Sequence, residues 1–291
     1  MILPLPAWIN RNRYAGSTDE ELLQASLKLL RENSQLEYSG EFGAEITTFV
    51  PFAAWLKQEG HLTGRRIKTY AGMLPYYFFL ADDEFLTKNE DRCWVKWEER
   101  YWPSNASDTA VKSPWHVYPN YRDQYIDSTI NFEKPVIFIQ NKYAKEWEMA
   151  PINYFPLSGL ELFLKKVSRR FDVVYSCPNN VPKSSGYYKD HNEEVRYADM
   201  EVLAKFPQVI SFEKMCLERK LDYNRAKLEV LAKTSFFVGV QGGGSHLFSH
   251  FGKSILVLLH IAGREFPCLS TRPIQVSFRL SPQAYSRSQL L

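Results

Sequence analysis

The chain has 291 residues, 45% of them hydrophobic and 24% charged, and its formal net charge is +3. These values are typical of a globular protein and exclude a disordered chain. The small net charge and the lack of a basic run give no support for nucleic-acid binding. No apolar stretch reaches the roughly 18–20 residues that cross a bilayer, so we expect no membrane span.

The cysteines and the first residues indicate the cellular compartment. The four cysteines (Cys93, Cys177, Cys216 and Cys268) are far apart and form no C-x-x-C pair. This spacing favours reduced thiols over a disulfide framework or a zinc site. The first residues, "MILPLPAWINRNRY", lack the basic and long apolar regions of a signal peptide. We therefore expect a cytoplasmic protein.

The first half of the chain predicts a βαβ unit. A leucine-rich helix over 18–32 is followed by a short strand near 35–38 and a glycine turn at Gly40–Gly43. A helix over 44–59 comes next, bent before its proline, and "RIKTYAGMLPYYFFL" then predicts one or two strands. Residues 88–130 show no clean period and are expected to be irregular.

The second half predicts a parallel α/β sheet, because five short apolar runs alternate with helices. Residues 178–200 are polar and predict a surface loop. The predicted strands lie at 134–140, 172–177, 208–212, 236–241 and 254–259, and the predicted helices at 157–171, 222–233 and 245–252.

We interpret the chain as α/β with two Rossmann-like domains that face a cleft. The predicted domains are 1–130 and 131–275, followed by a terminal helix over 276–291. In such sheets, ligands bind beyond the carboxyl ends of the strands.

A glycine-rich turn follows the strand at 236–241, in "FFVGVQGGGSHLFSH". Gly242, Gly243 and Gly244 let the backbone approach a phosphate, and the start of a helix suits a negative charge. Ser245 is expected to cap that helix, and His246 to donate to a diphosphate oxygen. The alternative is a glycine turn that merely satisfies tight geometry. The sequence is neither a Walker A loop nor a G-x-G-x-x-G fingerprint.

A strand–GGxSH–helix–Gly–strand unit late in such a chain resembles the donor-diphosphate loop of GT-B glycosyltransferases. It is also similar to fucosyltransferase-like and related GT-B proteins of microbial and viral glycan clusters. The resemblance covers most of 131–260 and is weaker over 1–130. It implies an N-terminal acceptor domain, a C-terminal nucleotide-sugar domain, and an active site in the cleft.

The resemblance also implies donor-binding residues. The loop "NKYAKEW" would present Asn141, Lys142 and Tyr143 to the donor, with Lys142 balancing diphosphate charge. Glu146 and Trp147 lie in the same loop, and a solvated Lys–Glu pair is the alternative interpretation.

Two further donor residues follow from the same resemblance. Glu213, after the strand "QVISF", is the candidate for a ribose or base contact. Arg225 could contact a phosphate, although a surface salt bridge explains it equally well.

On the acceptor side, the loop "SGEFGAE" carries the candidate general bases. An inverting transferase needs a group that removes the acceptor hydroxyl proton. Glu45 and Glu41 are the first candidates, although Glu45 could be a favourable charge in the first helical turn. His61 and the pair Asp82/Asp83 are weaker alternatives.

The resemblance therefore implies a glycosyltransferase that moves a sugar from a nucleoside-diphosphate sugar to a glycan acceptor hydroxyl. We expect inversion, no cofactor and no metal. A UDP-sugar such as UDP-xylose is the first expectation for the donor, and GDP-fucose is the second. The alternatives are a metal-dependent GT-A enzyme using the acidic "DDE", a sugar-nucleotide epimerase, and a non-catalytic nucleotide- or carbohydrate-binding protein.

Overall fold

The computed structural model divides the chain into two compact units. Unit 1 lies within Met1–Pro119, and unit 2 lies within Asn120–Tyr187 and Asn192–Leu291. The residues that the structure describes are 18–92, 102–103, 114–145, 151, 154–178, 193–194, 197–240, 242–259 and 274–278.

Unit 1 begins with helix α1 (Asp19–Asn33). Thr18 accepts from the backbone of Glu21, and the Glu21 carboxylate accepts from the backbone of Thr18, which forms a capping box. Leucines at helical spacing face the interior, among them Leu22, Leu23 and Leu30. The predicted helix over 18–32 is confirmed.

The sheet of unit 1 has three parallel strands in the order β1-β2-β3. They are β1 (Gln35–Glu37), β2 (Arg66–Tyr70) and β3 (Phe85–Lys88). The expectation of strands through residue 80 was wrong beyond β2, because Leu74–Tyr77 and Asp82–Glu84 form 3₁₀ turns.

The predicted helix over 44–59 has three parts. It begins as α2 (Phe42–Ala44), continues as a π-helical segment at Glu45–Phe49, and ends as α3 (Val50–Gln58). Pro51 lies in the first turn of α3, where its missing N–H disrupts the hydrogen-bond ladder least. The change of helix type lies just before this proline, where we expected a bend.

Unit 2 contains a six-stranded sheet in the order β11-β10-β9-β4-β6-β8. All neighbouring strands are parallel except β10 and β11. The five predicted strands of the second half are confirmed, although β8 is shorter than predicted. The strands are β4 (Val136–Gln140), β6 (Asp172–Ser176), β8 (Ile210–Ser211), β9 (Thr234–Val240), β10 (Ser254–Leu259) and β11 (Ile274–Phe278).

Two further short strands, β5 (Ala144–Lys145) and β7 (Glu193–Glu194), pair with each other in antiparallel fashion. They lie outside the six-stranded sheet. The described part of the predicted loop over 178–200 thus contains strand β7 and the start of a helix.

Unit 2 contains six α-helices among its described residues. They are α4 (Tyr121–Tyr125), α5 (Leu157–Val167), α6 (Asp199–Leu203), α7 (Phe212–Arg219), α8 (Tyr223–Lys233) and α9 (Gly243–Phe248). Helices α7 and α8 follow each other directly.

Helix α7 was missed from the sequence, because one of its four buried residues (Phe212, Glu213, Met215 and Cys216) is the charged Glu213. The prediction of a terminal helix over 276–291 was also wrong at residues 276–278, because β11 extends to Phe278. Residues 279–291 lie outside the described residues.

None of the helices in the described ranges is long and apolar enough to cross a membrane. The predicted arrangement of the two halves around a cleft stays a prediction.

Helix α5 provides a test of the unit 2 core. Leu160 is fully buried and packs among Ile137, Val173 and neighbouring apolar residues, whereas Leu162 on the same helix is 57% exposed. Leu160→Ala should lower the free energy of unfolding by about 2–5 kcal/mol, because it removes buried methyl groups and leaves a cavity. Urea denaturation measures the change. The matched control Leu162→Ala should change stability by less than about 0.5 kcal/mol, and equal losses in the two variants would contradict the packing described.

Candidate functional site

The carboxyl edge of the unit 2 sheet has a topological switch point between β4 and β9. From β4 the chain adds β6 and then β8 on one side, and it returns to place β9 on the other side. The loops after β4 and β9 therefore leave the sheet in opposite directions, which opens a crevice at their carboxyl ends. The predicted donor residues Asn141, Lys142 and Tyr143 follow β4, and Gly242 to His246 follow β9.

Glycine is required at two positions after β9, for different physical reasons. Gly242 has φ 148° and ψ −176°, a conformation that is essentially restricted to glycine. A Cβ at Gly242 would lie 3.2 Å from Lys142 Nζ, and a Cβ at Gly244 would overlap the Gln140 side-chain amide. Glycine at these two positions thus lets the β4 and β9 loops approach closely, and Lys142 lies against the glycine backbone.

Ser245 does not cap helix α9, contrary to expectation. The helix begins at Gly243 with Gly242 as its N-cap, and the Ser245 hydroxyl donates to the Gly242 carbonyl at 2.7 Å. His246 is exposed in the same helix. Because α9 has six residues, a phosphate at this edge would depend mainly on the Lys142 ammonium. Phosphate contacts by these residues stay a prediction.

Asn141 is fully buried and holds the β4 loop in place. Its Nδ2 donates to the Tyr175 hydroxyl at 3.0 Å, and the Tyr175 hydroxyl donates to Asp199 at 2.7 Å. Its Oδ1 accepts from the Phe155 backbone at 2.7 Å. The Asn141 amide therefore joins β4, β6, α6 and the segment before α5, so these contacts position the loop. Contact with a donor stays a prediction.

Tyr143 belongs to a cluster of three half-buried tyrosines. Its ring stacks on Tyr197 with centroids 4.2 Å apart, and Tyr154 packs edge-on against both rings. The Tyr197 hydroxyl donates to the Phe155 carbonyl, which anchors the cluster to the segment that Asn141 holds. The cluster packs the loop after β4 against Tyr197 and the segment before α5.

Glu213 lies further along the same edge, in the first turn of α7. It is 4% exposed, and its Oε1 accepts from Ser176 at 2.7 Å and from Tyr223 at 3.4 Å. Its Oε2 has no hydrogen-bond partner among the residues that the structure describes. Burial raises the pKa of Glu213 to about 7, although Ser176, backbone amides and Lys227 favour the charged form. A carboxylate oxygen without a partner can accept a hydrogen bond from a hydroxyl or an N–H group.

Lys227 on helix α8 was not identified from the sequence. It is 2% exposed, and burial lowers its pKa to about 8 while Glu213 and Cys216 oppose the change. The available signal was its position four residues after Tyr223, on the face of α8 that carries Ala226 and Val230. A lysine on an apolar face requires a compensating charge nearby.

In unit 1, Glu45 is fully buried in a polar network. Its Oε1 accepts from the hydroxyls of Thr69 and Tyr77, and its Oε2 lies 2.8 Å from the guanidinium of Arg92, itself 2% exposed. The Arg92 guanidinium also lies 4.3 Å from the centre of the Tyr70 ring. A general base must reach the proton that it removes, and these contacts engage both Glu45 oxygens. Catalysis by Glu45 stays a prediction.

The other acceptor-side candidates are more accessible. Glu41 is half-buried at the N-cap of α2, and its side chain does not cap the helix. His61 is half-buried beside the Trp55 ring. Asp82 and Asp83 are exposed in a turn before β3, not after a strand. Among the described residues, no group of three or more His, Cys, Asp or Glu could hold a metal ion.

One predicted donor residue, Arg225, lies away from this edge. The Arg225 side chain is 67% exposed and pairs with Glu229 at 3.0 Å on helix α8, so the structure contains the surface salt bridge that we considered as an alternative. Glu146 and Trp147 lie outside the described residues.

Comparisons with known proteins give little support for a specific function. No protein-family model matches the chain, and no curated protein matches it. One similar solved structure is described as ADP-heptose LPS heptosyltransferase II from E. coli. The identity is 12%, the match covers 82% of this chain and 67% of that one, and the TM-score is 0.36. These values carry no argument about activity, so function is argued from the side chains of the site.

Replacement of the buried Glu213 should change how stability depends on pH. A raised pKa in the folded state means that the contribution to stability is complete below 4.5 and is lost as the pH rises through about 7. Glu213→Gln removes this titration, so its stability relative to wild type should rise by on the order of 3 kcal/mol between those pH values. Urea unfolding across the pH range measures this difference. The exposed Glu218 on the same helix provides the control Glu218→Gln, and a constant difference for Glu213→Gln would contradict the burial.

Glu45→Gln should destabilise unit 1, because it leaves the buried Arg92 charge without its counterion. Breaking a buried pair in this way costs about 3–5 kcal/mol. Chemical denaturation measures the loss, with the half-buried Glu41→Gln as the control. Unchanged stability of Glu45→Gln would show that the ion pair is not needed for folding.

Proposed function

We propose that the chain is a glycosyltransferase that binds a nucleoside-diphosphate sugar at the carboxyl edge of the unit 2 sheet. One observation carries the proposal: residues far apart in sequence meet this single edge with complementary chemistry. Lys142 lies against Gly242 at the switch point, and Glu213 lies beyond β6 with one oxygen open. The edge therefore offers a cation for phosphate and an acceptor for hydroxyl groups.

The spacing along the edge suits such a ligand. In the order β9-β4-β6-β8, the outermost strands are three inter-strand steps apart, roughly 14 Å at about 4.8 Å per step. An extended nucleoside diphosphate has a comparable length. A diphosphate at Lys142 and Gly242 would place the ribose towards Glu213, whose carboxylate accepts from hydroxyls. The stacked pair of Tyr143 and Tyr197 offers an aromatic face to a base or a sugar.

Transfer would form a bond from an acceptor hydroxyl to the anomeric carbon and break the bond to the diphosphate. A base takes the hydroxyl proton, and the Lys142 charge stabilises the leaving diphosphate. We propose inversion without a metal ion, a UDP-sugar such as UDP-xylose as the first donor to test and GDP-fucose as the second. Glu41 is the more accessible of the two proposed bases, since Glu45 is fully buried.

The second candidate is a nucleotide-binding protein without transfer activity. The burial and ion pairing of Glu45 favour it, because they engage the carboxylate first proposed as the base. A binding protein would retain the nucleotide contacts of unit 2 and show no turnover. Release of free nucleotide in the presence of glycan acceptors distinguishes the two candidates.

The phosphate assignment predicts a selective effect of Lys142→Met. The variant should bind nucleoside diphosphates at least about tenfold more weakly, which corresponds to about 1.4 kcal/mol, because it loses an ammonium beside the glycine turn. Affinity for the uncharged nucleoside should stay within about twofold. Calorimetric titration with UDP, GDP, ADP, CMP and their sugars, including ADP-heptose, measures both affinities.

The control for this variant is Lys205→Met, which removes an exposed lysine paired with Glu161 on the surface. It should bind every ligand as wild type does. Equal weakening of nucleoside and nucleotide by Lys142→Met would contradict a phosphate contact. No binding of any nucleotide by the wild-type chain would overturn the proposed function.

A further inference from the structure

The hydrogen bonds that Glu213 accepts from other side chains lie on one of its two oxygens, while backbone amides of Glu213 and Cys177 also favour its charged form. Ser176 from β6 and Tyr223 from α8 both donate to Oε1, whereas Oε2 has no hydrogen-bond partner among the described residues. The residue is 4% exposed, so solvent compensates this oxygen poorly. A buried carboxylate with one open oxygen is costly unless another charge or a ligand stabilises it.

Lys227 supplies a charge without occupying that oxygen. Its side chain is 2% exposed on α8, and within the described ranges its ammonium forms no ion pair with a carboxylate. Both groups are close to Tyr223, because its ring centre is 6.0 Å from Lys227 Nζ and its hydroxyl is 3.4 Å from Glu213 Oε1. Tyr223 therefore connects the two buried groups. A direct ion pair would instead have used the open oxygen.

We propose that Lys227 is a positioning residue that favours the ionised form of Glu213 while leaving Oε2 open to a hydroxyl or N–H group of the bound ligand. The ligand part of this inference rests on the proposed function. A carboxylate accepts and does not donate, so the group at Oε2 must be a donor, such as a ribose hydroxyl, and not a phosphate oxygen.

The other titratable groups around Glu213 do not replace Lys227. From β6, Ser176 donates a hydrogen bond and the thiol of Cys177 is buried. On α7 itself, burial raises the pKa of Cys216 to about 12, so this thiol stays neutral at physiological pH. Asp222, before α8, acts on Cys216 and carries a charge of the same sign as Glu213. Among these groups, Lys227 carries the positive charge that opposes the effect of burial on Glu213.

The first experiment needs no ligand. The Glu213 carboxyl is titrated by carbon-detected NMR in wild type, Lys227→Met and Lys227→Arg, with the signal assigned by its loss in Glu213→Gln. Lys227→Met should raise the midpoint by about half a pH unit, because it removes an opposite charge while the hydrogen bonds to Glu213 remain. Lys227→Arg should restore a midpoint near that of wild type. An unchanged midpoint in Lys227→Met would show that Lys227 only fills space and would overturn the proposal.

The second experiment uses uridine and 2′- and 3′-deoxyuridine as probes. At pH 7, Lys227→Met should bind uridine about twofold more weakly than wild type, and the difference should vanish at higher pH as Glu213 ionises. Glu213→Gln should bind weakly at every pH. A shifted midpoint combined with no uridine binding by wild type would keep the Lys227–Glu213 coupling and overturn the nucleoside assignment. If Lys227 only filled space, Lys227→Met and Lys227→Arg would behave alike, because both variants retain a long side chain. Restoration of wild-type behaviour by arginine but not by methionine therefore contradicts a packing role.

Discussion

Parallel pairing of β4 with β9 is the constraint on which the candidate site depends. The register places Gln140, the last residue of β4, beside Gly239 near the end of β9. The loops after both strands therefore start at the same level of the sheet and leave it in opposite directions. A bulky residue at Gly244 would collide with the Gln140 amide, and this close approach brings Lys142 against Gly242. The site is thus a consequence of strand order and of small residues where two loops meet.

The two buried glutamates, Glu45 and Glu213, differ in how their charges are compensated. Glu45 of unit 1 accepts hydrogen bonds on Oε1, and the Arg92 guanidinium forms an ion pair with its Oε2 at 2.8 Å. Glu213 of unit 2 accepts both of its side-chain hydrogen bonds on Oε1, and within the described ranges no ion pair reaches its Oε2. The first arrangement is stabilised by a counterion in direct contact. The second leaves unsatisfied hydrogen-bonding capacity at a sheet edge, where ligands bind in this class of fold.

Some helices and strands could be predicted from local sequence patterns, and others could not. The strands of unit 2 were predictable because each is a short apolar run bounded by polar residues, as in Val136–Gln140. Helix α7 was not, because its buried positions include Glu213, a residue that any pattern based on hydrophobicity counts as exposed. The π-helical segment at Glu45–Phe49 also carries no local signal, since its extra residue per turn is stabilised by surrounding contacts.

The sequence by itself determined the α/β class, the parallel strands of unit 2 and the glycine turn after β9, because periodicity and glycine act over a few neighbouring residues. It also identified Lys142 and Glu213 as residues that follow strands. Only the tertiary structure decided that Glu45 is paired with Arg92, that Asn141 is enclosed by Tyr175 and Phe155, and that Lys227 is buried close to Tyr223, which contacts Glu213. These properties depend on burial and on charges brought together from distant parts of the chain, which no local spacing encodes.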